Sequence, residues 1–256
     1  MPRLSLSRYL SRLALLQALL LGLPSGARAD SPVACPYSTE SAAAGLSAGS
    51  LPGLRAALKT GHLRVVAIGS GSMMTARGHA AGSFTDYMAQ ALRDEIPGLK
   101  VDLSVQGERG IGSTAMLALL RKELPPLKPT LVVWQTGTVE AVRKRPLADF
   151  TRDLDTGAEI VRQAGGELIL VDPLYSRMLL AHANVAPYRE AMRSAAERNG
   201  AVLFSRFSLL HHWADAGVFD IESLNKTDRI EAADERSRCL GTALAQVILR
   251  SAGSEK

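Results

Sequence analysis

Five short apolar segments, each followed by a segment with helical periodicity, constrain the fold of this 256-residue chain most strongly. The apolar segments are 63–69, 100–105, 130–136, 167–171 and 201–204. Between them, apolar residues recur three and four positions apart, as at 84, 87, 88, 91 and 92, which is the spacing of an amphipathic helix. Strands that alternate with helices in this way pair in parallel through right-handed crossovers. We therefore predict an α/β fold, a three-layer α/β/α sandwich around a five-stranded parallel sheet.

Proline and glycine mark where the predicted helices end. Pro97-Gly98 and Pro125-Pro126 follow two of the helical segments, and Gly200 follows a third. Proline does not continue a helix, and glycine readily takes the left-handed conformation that closes one. The predicted helices are 52–61, 83–96, 113–124, 146–164, 186–199 and 229–251, with a short helical piece that starts at His211.

The first 29 residues have the pattern of an export signal. A basic start (Arg3, Arg8 and Arg12) precedes an apolar run at 13–23, and Ala27-Arg28-Ala29 is a small-x-small cleavage site. A run of about 11 residues is too short for the roughly 30 Å bilayer core, although an uncleaved anchor is the alternative. We predict cleavage after Ala29, a periplasmic or secreted location, and no transmembrane segment in the mature chain. That chain would comprise a lead-in, 30–62, and one domain, 63–256.

The basic balance of the whole chain belongs to the predicted signal. The signal holds four of the 30 basic residues and no acidic one, so 26 basic and 25 acidic residues remain. A nearly neutral mature protein gives no electrostatic reason for a nucleic-acid partner, despite a sequence pI near 9.4.

The two cysteines, Cys35 and Cys239, lie near opposite ends of the predicted mature chain. In an oxidising compartment such thiols can pair, which would clamp the N-terminal segment onto the last helix. Two separate buried thiols are the alternative. No histidine stands near either cysteine in sequence, so neither is predicted to be a catalytic nucleophile.

The loop after the first predicted strand is rich in glycine and serine, reading Gly69-Ser70-Gly71-Ser72. It lacks the Gly-Lys-Ser/Thr of a P-loop and the glycine spacing of a dinucleotide fingerprint, so no nucleotide cofactor is predicted. A strand that ends in glycine and serine is also where a hydrolase places its nucleophile. The functional crevice of a parallel sheet lies at the carboxyl ends of its strands.

Three separated blocks give this chain a resemblance to a known superfamily. They are Gly69-Ser70-Gly71-Ser72, Trp134-Gln135-Thr136-Gly137-Thr138, and Asp228 followed by Cys239-Leu240. In this order and at these element ends, they resemble the SGNH (GDSL-type) ester hydrolases. The most similar members are exported and carry Gly-Ser-Ser-Ser, Trp-Gln-x-Gly-Thr-Asn, and Asp-x-x-His eight residues before Cys-Leu. The resemblance covers residues 63 to about 249 and implies a flavodoxin-like SGNH fold.

The resemblance implies serine chemistry in which each group has a physical task. The first-block serine attacks an ester carbonyl, and the final histidine, oriented by the aspartate, removes its proton. A second-block backbone N–H and the third-block asparagine stabilise the oxyanion that develops.

Most of these groups are replaced in this sequence. Gly71 stands at the nucleophile position, between Ser70 and Ser72; Val139 replaces the asparagine; Asp228 is kept; and Glu231 replaces the histidine. Gly110, Gly112 and Ser113 supply the second-block turn. A glutamate of pKa about 4.3 is a weaker base than a histidine of about 6.5, by roughly 3 kcal/mol.

Two routes to activity stay open in the sequence. A small insertion in the first loop would align Thr75-Ala76 with the superfamily and make Ser72 the nucleophile, and His79 or His182 could then supply a base. Arg77 and Arg109, on functional loops, could bind a carboxylate or phosphate. The adjacent pair His211-His212 would point about 100° apart on a helix, so no metal site is predicted there.

The sequence therefore leaves three hypotheses. The first is an exported pseudo-hydrolase whose crevice binds an acylated or carbohydrate ligand or a protein partner. The second is an active, divergent serine esterase that uses Ser72 or Ser70. The third is a purely structural envelope protein. None of them requires a metal or an organic cofactor.

Overall fold

The computed structural model describes residue 35 and residues 50–74, 82–219 and 225–253. All of them lie in one compact unit, Cys35–Lys256. The predicted signal at 1–29, most of the lead-in before residue 50, and Thr75-Ala76, Arg77 and His79 lie outside the described residues. Within the described residues, no helix combines the length and apolar character that a membrane crossing needs.

The sheet has five parallel strands, as predicted. They are β1 (His62–Gly69), β2 (Lys100–Gly107), β3 (Leu131–Gln135), β4 (Glu167–Val171) and β5 (Val202–Phe204). Their order in the sheet is β2-β1-β3-β4-β5, with every neighbouring pair parallel. Because β1 lies between β2 and β3, the loops that follow these three strands meet at one edge of the sheet. Those loops carry the glycine-serine block, the second-block turn and the Trp134–Thr138 block.

Nine α-helices are present in the described residues. They are α1 (Pro52–Lys59), α2 (Phe84–Glu95), α3 (Ser113–Leu127), α4 (Thr138–Val142), α5 (Leu147–Gln163), α6 (Arg177–His182), α7 (Ala186–Asn199), α8 (Arg206–Asp215) and α9 (Lys226–Ser251). A 3-10 turn, Gly71–Met73, follows β1. The short helices α4 and α6 were not predicted. Helix α8 begins at Arg206, five positions before the predicted start at His211.

The prediction that α3 ends before Pro125-Pro126 is wrong. The helix continues through both prolines to Leu127, and Lys128 closes it in the left-handed conformation with φ 42°. Proline fixes φ near the helical value, so both residues take the helical conformation although neither has an N–H to donate. The amide of Lys128 donates to the carbonyl of Leu124 at 2.8 Å, which completes that turn.

The strands bury alternate side chains in two cores, one on each face of the sheet. Val65 and Ala67 face a core that contains residues of α1, α2, α8 and α9. Val66 and Ile68 face a second core, which contains residues of α3, α5 and α7. Both faces of the sheet are thus covered by helices, which confirms the predicted sandwich.

Cys35 and Cys239 form a disulfide, with their Cα atoms 5.3 Å apart. This confirms the predicted pairing and rules out the alternative of two separate thiols. Cys239 is buried in α9, so the bond ties the start of the compact unit to its last helix.

Candidate active site

Two glycines bring the ends of β1 and β2 unusually close together. Gly69 and Gly107 are register partners at the last position of the two strands. Gly107 has φ 135°, and a Cβ built on it would lie 1.9 Å from the carbonyl oxygen of Gly69. No residue with a side chain fits there without displacing the backbone. The first and second loops therefore start in direct backbone contact.

Ser70 is the serine whose hydroxyl meets the second loop. Its Oγ accepts a hydrogen bond from the backbone N–H of Gly110 at 2.7 Å. Its own carbonyl accepts from the side-chain amide of Gln135, at the end of β3, at 2.9 Å. Gly71, the nucleophile position by resemblance, has φ 52° and starts the 3-10 turn that also contains Ser72. All three loops thus converge on Ser70.

A buried arginine also contributes to the contacts around Ser70. Arg206, the first residue of α8, donates from Nη1 to Oε1 of Gln135 at 3.0 Å, and its guanidinium lies 5.9 Å from the ring centroid of Phe84. Burial lowers the pKa of Arg206 to about 10, and the charge of Asp172 opposes that shift. The guanidinium still carries its charge at neutral pH. Its hydrogen bond to Gln135 connects α8 to the first loop through β3.

Val139, which the resemblance places at the position of the oxyanion donor, has a side chain without a hydrogen-bond donor. Val139, on α4, lies against the second loop: a Cβ built on Gly112 would be 3.7 Å from Val139 Cγ1. The same Cβ would be 2.9 Å from Oε1 of Glu140. A methyl group and a carboxylate therefore border the second-loop glycine where an amide donor is needed.

Glu140 also borders the second-loop glycine, and its role was not predicted from the sequence. Its buried carboxylate accepts from the backbone N–H of Ser113 at 2.5 Å and from that of Gly137 at 2.9 Å. The hydroxyl of Thr136 also donates to it, at 3.4 Å. Glu140 stands three residues after Gly137, at the start of α4, and this spacing was the one local signal for a carboxylate that binds the N-terminus of a helix.

Asp228 and Glu231 lie in the first turns of α9, which begins at Lys226, and both are exposed to solvent. The side chain of Asn225 caps the helix by accepting from the N–H of Thr227 at 2.9 Å. Among the hydrogen bonds of the described residues, none joins Glu231 to Ser70. The structure brings Ser70, Gly110 and Gln135 together, but it does not add Glu231 to them.

The described histidines make contacts elsewhere. His182 Nδ1 lies 2.8 Å from the carbonyl oxygen of Met178, and His211 pairs with Asp215 at 3.5 Å. His62, at the start of β1, lies 2.6 Å from the carboxylate of Asp102. In the described part of the chain, no histidine hydrogen-bonds to Ser70. No group of His, Cys, Asp and Glu suited to a metal ion occurs there either.

A second polar cluster lies at the ends of β4 and β5. The carboxylate of Asp172 is fully buried and accepts from Nε of Arg189 at 2.9 Å, from the N–H of Phe207 at 2.8 Å and from the hydroxyl of Ser205 at 3.2 Å. Burial raises the pKa of Asp172, whereas the Phe207 amide and the charge of Arg189 act in the opposite direction. With every oxygen engaged, this cluster fixes α7 and α8 against the sheet.

The fold and a matching family model make the chain a member of the SGNH/GDSL hydrolase superfamily. Within it, the chain belongs to the non-GDSL lipase-like family, whose model matches residues 34–254.

Several solved structures share the fold. TesA is 19% identical with a TM-score of 0.54, covering 72% of this chain and 99% of its own. A catalytic mutant of Axe2, an acetylxylan esterase from Geobacillus stearothermophilus, is 16% identical with a TM-score of 0.56, covering 75% and 94%. LAE5, an alpha/beta hydrolase enzyme from the metagenome of Lake Arreo in Spain, is 18% identical with a TM-score of 0.55, covering 75% and 95%. No curated protein matches the chain by sequence.

Proposed function

We propose that this chain is an exported pseudo-hydrolase: it keeps the SGNH crevice as a binding site and does not hydrolyse esters. The observation that carries the proposal is the composition of the oxyanion corner, which consists of Gly112, Val139 and Glu140. There, Val139 Cγ1 and the carboxylate of Glu140 border Gly112. Ester hydrolysis passes through a state in which the carbonyl oxygen becomes negative, and hydrogen-bond donors must already point at it. A methyl group offers no donor, and a carboxylate repels the charge.

Two backbone donors of the second loop are also occupied. The N–H of Gly110 binds Ser70 Oγ, and the N–H of Ser113 binds Glu140 Oε1. Both would have to give up a protein partner before they could bind an oxyanion. The loss of a single oxyanion donor typically lowers the rate about 10²–10³-fold. The missing asparagine and the two occupied amides act on the same step, so their effects on the rate combine.

The proton acceptor is the second deficiency. A general base must lie within about 3 Å of the hydroxyl that it deprotonates, directly or through one water. In the described residues Ser70 has an amide donor and no imidazole as its partner, and Glu231 is exposed on α9. Both deficiencies support a protein that binds without turnover.

Export and ligand class have separate support. The signal pattern of residues 1–29 and the Cys35–Cys239 disulfide both suit a periplasmic or secreted protein, because disulfides persist in oxidising compartments. The family's lipase-like description and the acetylxylan esterase Axe2 favour an acylated ligand, in particular an acylated carbohydrate. The crevice at the ends of β1, β2 and β3 is where such a ligand would bind.

One observation favours the alternative, an active but divergent esterase. The hydroxyl of Ser70 lies 2.7 Å from a second-loop amide, and a nucleophile close to its oxyanion donor needs a similar arrangement. In that alternative Ser70 or Ser72 attacks the ester, and a base outside the described residues, such as His79, removes the proton.

Short-chain aryl esters and a serine-directed fluorophosphonate separate these functions when applied to the purified protein, with Axe2 as the active reference. We expect ester hydrolysis no faster than in buffer and no phosphonate label on Ser70 or Ser72. Ser70→Ala and Ser72→Ala serve as matched variants. Turnover together with a label that disappears in one of these variants would establish the esterase and refute the pseudo-hydrolase.

A further inference from the structure

A cavity of about 540 Å³ opens beside Val139, between the first turn of α3 and the segment that joins α4 to α5. Thr114 and Ala115 line it on one side, and Arg143 and Arg145 line it on the other. A volume of this size accommodates a small-molecule group such as a sugar ring. The cavity shares Gly112, Val139 and Glu140 with the oxyanion corner, so a ligand of the crevice could extend into it.

The two arginines are held in place, and each keeps donors for a ligand. Arg143 is exposed and donates from Nη2 to the carbonyl of Gly110 at 3.0 Å. Within the described part of the chain, it has no carboxylate partner. Arg145 donates from Nη2 to Oδ2 of Asp153 at 2.9 Å. A guanidinium carries five N–H donors, so each of these contacts leaves others available.

The acidic groups near the cavity are already bound by protein donors. Both oxygens of Glu140 accept backbone N–H groups, and Oδ2 of Asp153 accepts from the hydroxyls of Ser113 and Thr114 as well as from Arg145. The positive charge of Arg143 is not neutralised in this way. Two arginines and one carboxylate, that of Glu140, line the cavity, so its lining residues carry a formal charge of +1.

We propose that this cavity is a subsite for an anionic substituent, a carboxylate or a phosphate, on the ligand that occupies the crevice. The inference rests on the proposed function, which supplies the ligand, and adds that this ligand carries a negative charge. Arginine suits the task because its planar donors match the oxygens of a carboxylate or phosphate two at a time. An acidic sugar derivative has the size and the charge that the cavity requires.

Three sugars of similar size test the subsite in the purified, isotopically labelled protein: glucuronate, glucose 6-phosphate and glucose. We expect the two acidic sugars to shift the amide resonances of Gly112 and Thr114 and to bind at least about tenfold more tightly than glucose. Arg143→Gln should remove that advantage, because the exposed Arg143 contributes charge at the cavity and little to the core. Arg152→Gln is the matched control, since Arg152 is an exposed arginine on α5 outside the cavity.

The two acidic probes identify the anion. Preference for glucuronate indicates a carboxylate subsite, and preference for glucose 6-phosphate indicates a phosphate subsite. Equal binding of glucose, unchanged binding in Arg143→Gln, or no shift at Gly112 and Thr114 with any probe would overturn the inference. Ester turnover would refute the pseudo-hydrolase while leaving these binding results intact, so the two failures are distinguishable.

Discussion

The two halves of the superfamily's catalytic machinery have very different surroundings in this chain. At the ends of β1, β2 and β3, Ser70, Gln135 and Glu140 are fixed by hydrogen bonds between separate elements. At the start of α9, Asp228 and Glu231 are exposed on a helix surface. The first half is held by hydrogen bonds between separate elements, whereas the side chain of Glu231 is exposed to solvent.

This difference shows which residues of an active site can be replaced with little loss of stability. A buried polar group that loses its partner costs about 1–3 kcal/mol, so residues such as Glu140 and Gln135 are tied to their neighbours. An exposed side chain that changes usually alters stability by less than about 0.5 kcal/mol. The base position on α9 can therefore hold a glutamate while the strand ends keep their geometry.

Gly107→Ala should have the largest effect, because it disrupts the close approach of the ends of β1 and β2. The added Cβ would lie 1.9 Å from the carbonyl oxygen of Gly69, at a φ of 135° that residues with side chains rarely adopt. We expect a loss of about 3 kcal/mol or more in the free energy of unfolding, measured by urea denaturation. Gly110→Ala is the control, because Gly110 has φ 80° but a Cβ added to it would meet no atom within 4 Å. Equal losses in both variants would mean that dihedral strain, and not the close approach, sets the cost.

Glu140→Ala should have the next largest effect. It leaves the N–H groups of Ser113 and Gly137 without their acceptor, and we expect a loss of about 2–3 kcal/mol in the same measurement. Glu140→Gln keeps an acceptor oxygen and should lose less. A loss below about 0.5 kcal/mol for the alanine variant would show that the strand-end half is no more constrained than the start of α9.

Tyr87→Phe tests whether α9 is held to the rest of the fold at Asp234, one turn beyond Glu231. The hydroxyl of Tyr87, on α2, donates to Asp234 of α9 at 2.6 Å, and its removal should cost about 1 kcal/mol. Burial and the Asp234 carboxylate raise the pKa of Tyr87 above 10.0. Its contribution is therefore fully present below about pH 10 and is lost as the pH rises through the raised value. Urea denaturation between about pH 8 and pH 11 should show the difference between wild type and variant shrinking at the alkaline end.

Glu231→Ala should have the smallest effect, since the side chain is exposed. We expect the free energy of unfolding to change by less than about 0.5 kcal/mol. The binding of an acidic sugar to the cavity that Val139 and Arg143 line should also stay unchanged. A loss of about 1 kcal/mol or more would place Glu231 among the constrained residues and remove the contrast between the two halves.

The sequence predicted the sheet well because each strand is a short apolar run between turn residues, a local signal. It failed at Pro125-Pro126, where the helix continues to Leu127 and closes at Lys128. Glu140 and Arg206 escaped notice for another reason. The local spacing of Glu140 from Gly137 indicates only their mutual contact. The partners Ser113 of Glu140 and Gln135 of Arg206 lie 27 and 71 positions away, and no local pattern encodes those contacts.

The superfamily blocks also indicated which loops of the sheet to compare. The blocks located the loops after β1, β2 and β3, which do meet at one edge of the sheet. They did not reveal that Glu140 would occupy the amide of Ser113 or that the loop after α4 would place Arg143 at a cavity. Those features depend on how side chains fill the space between loops, which follows from the packed fold.

The disulfide between Cys35 and Cys239 closes the chain into a covalent ring. The ring contains every strand of the sheet and the helices from α1 to α8, so a single cut by a protease anywhere between the two cysteines opens the ring without releasing a fragment. A nicked molecule would keep its two pieces joined through the disulfide. The two pieces would separate only after reduction, which makes the bond a safeguard for the binding surface as well as a brace for the fold.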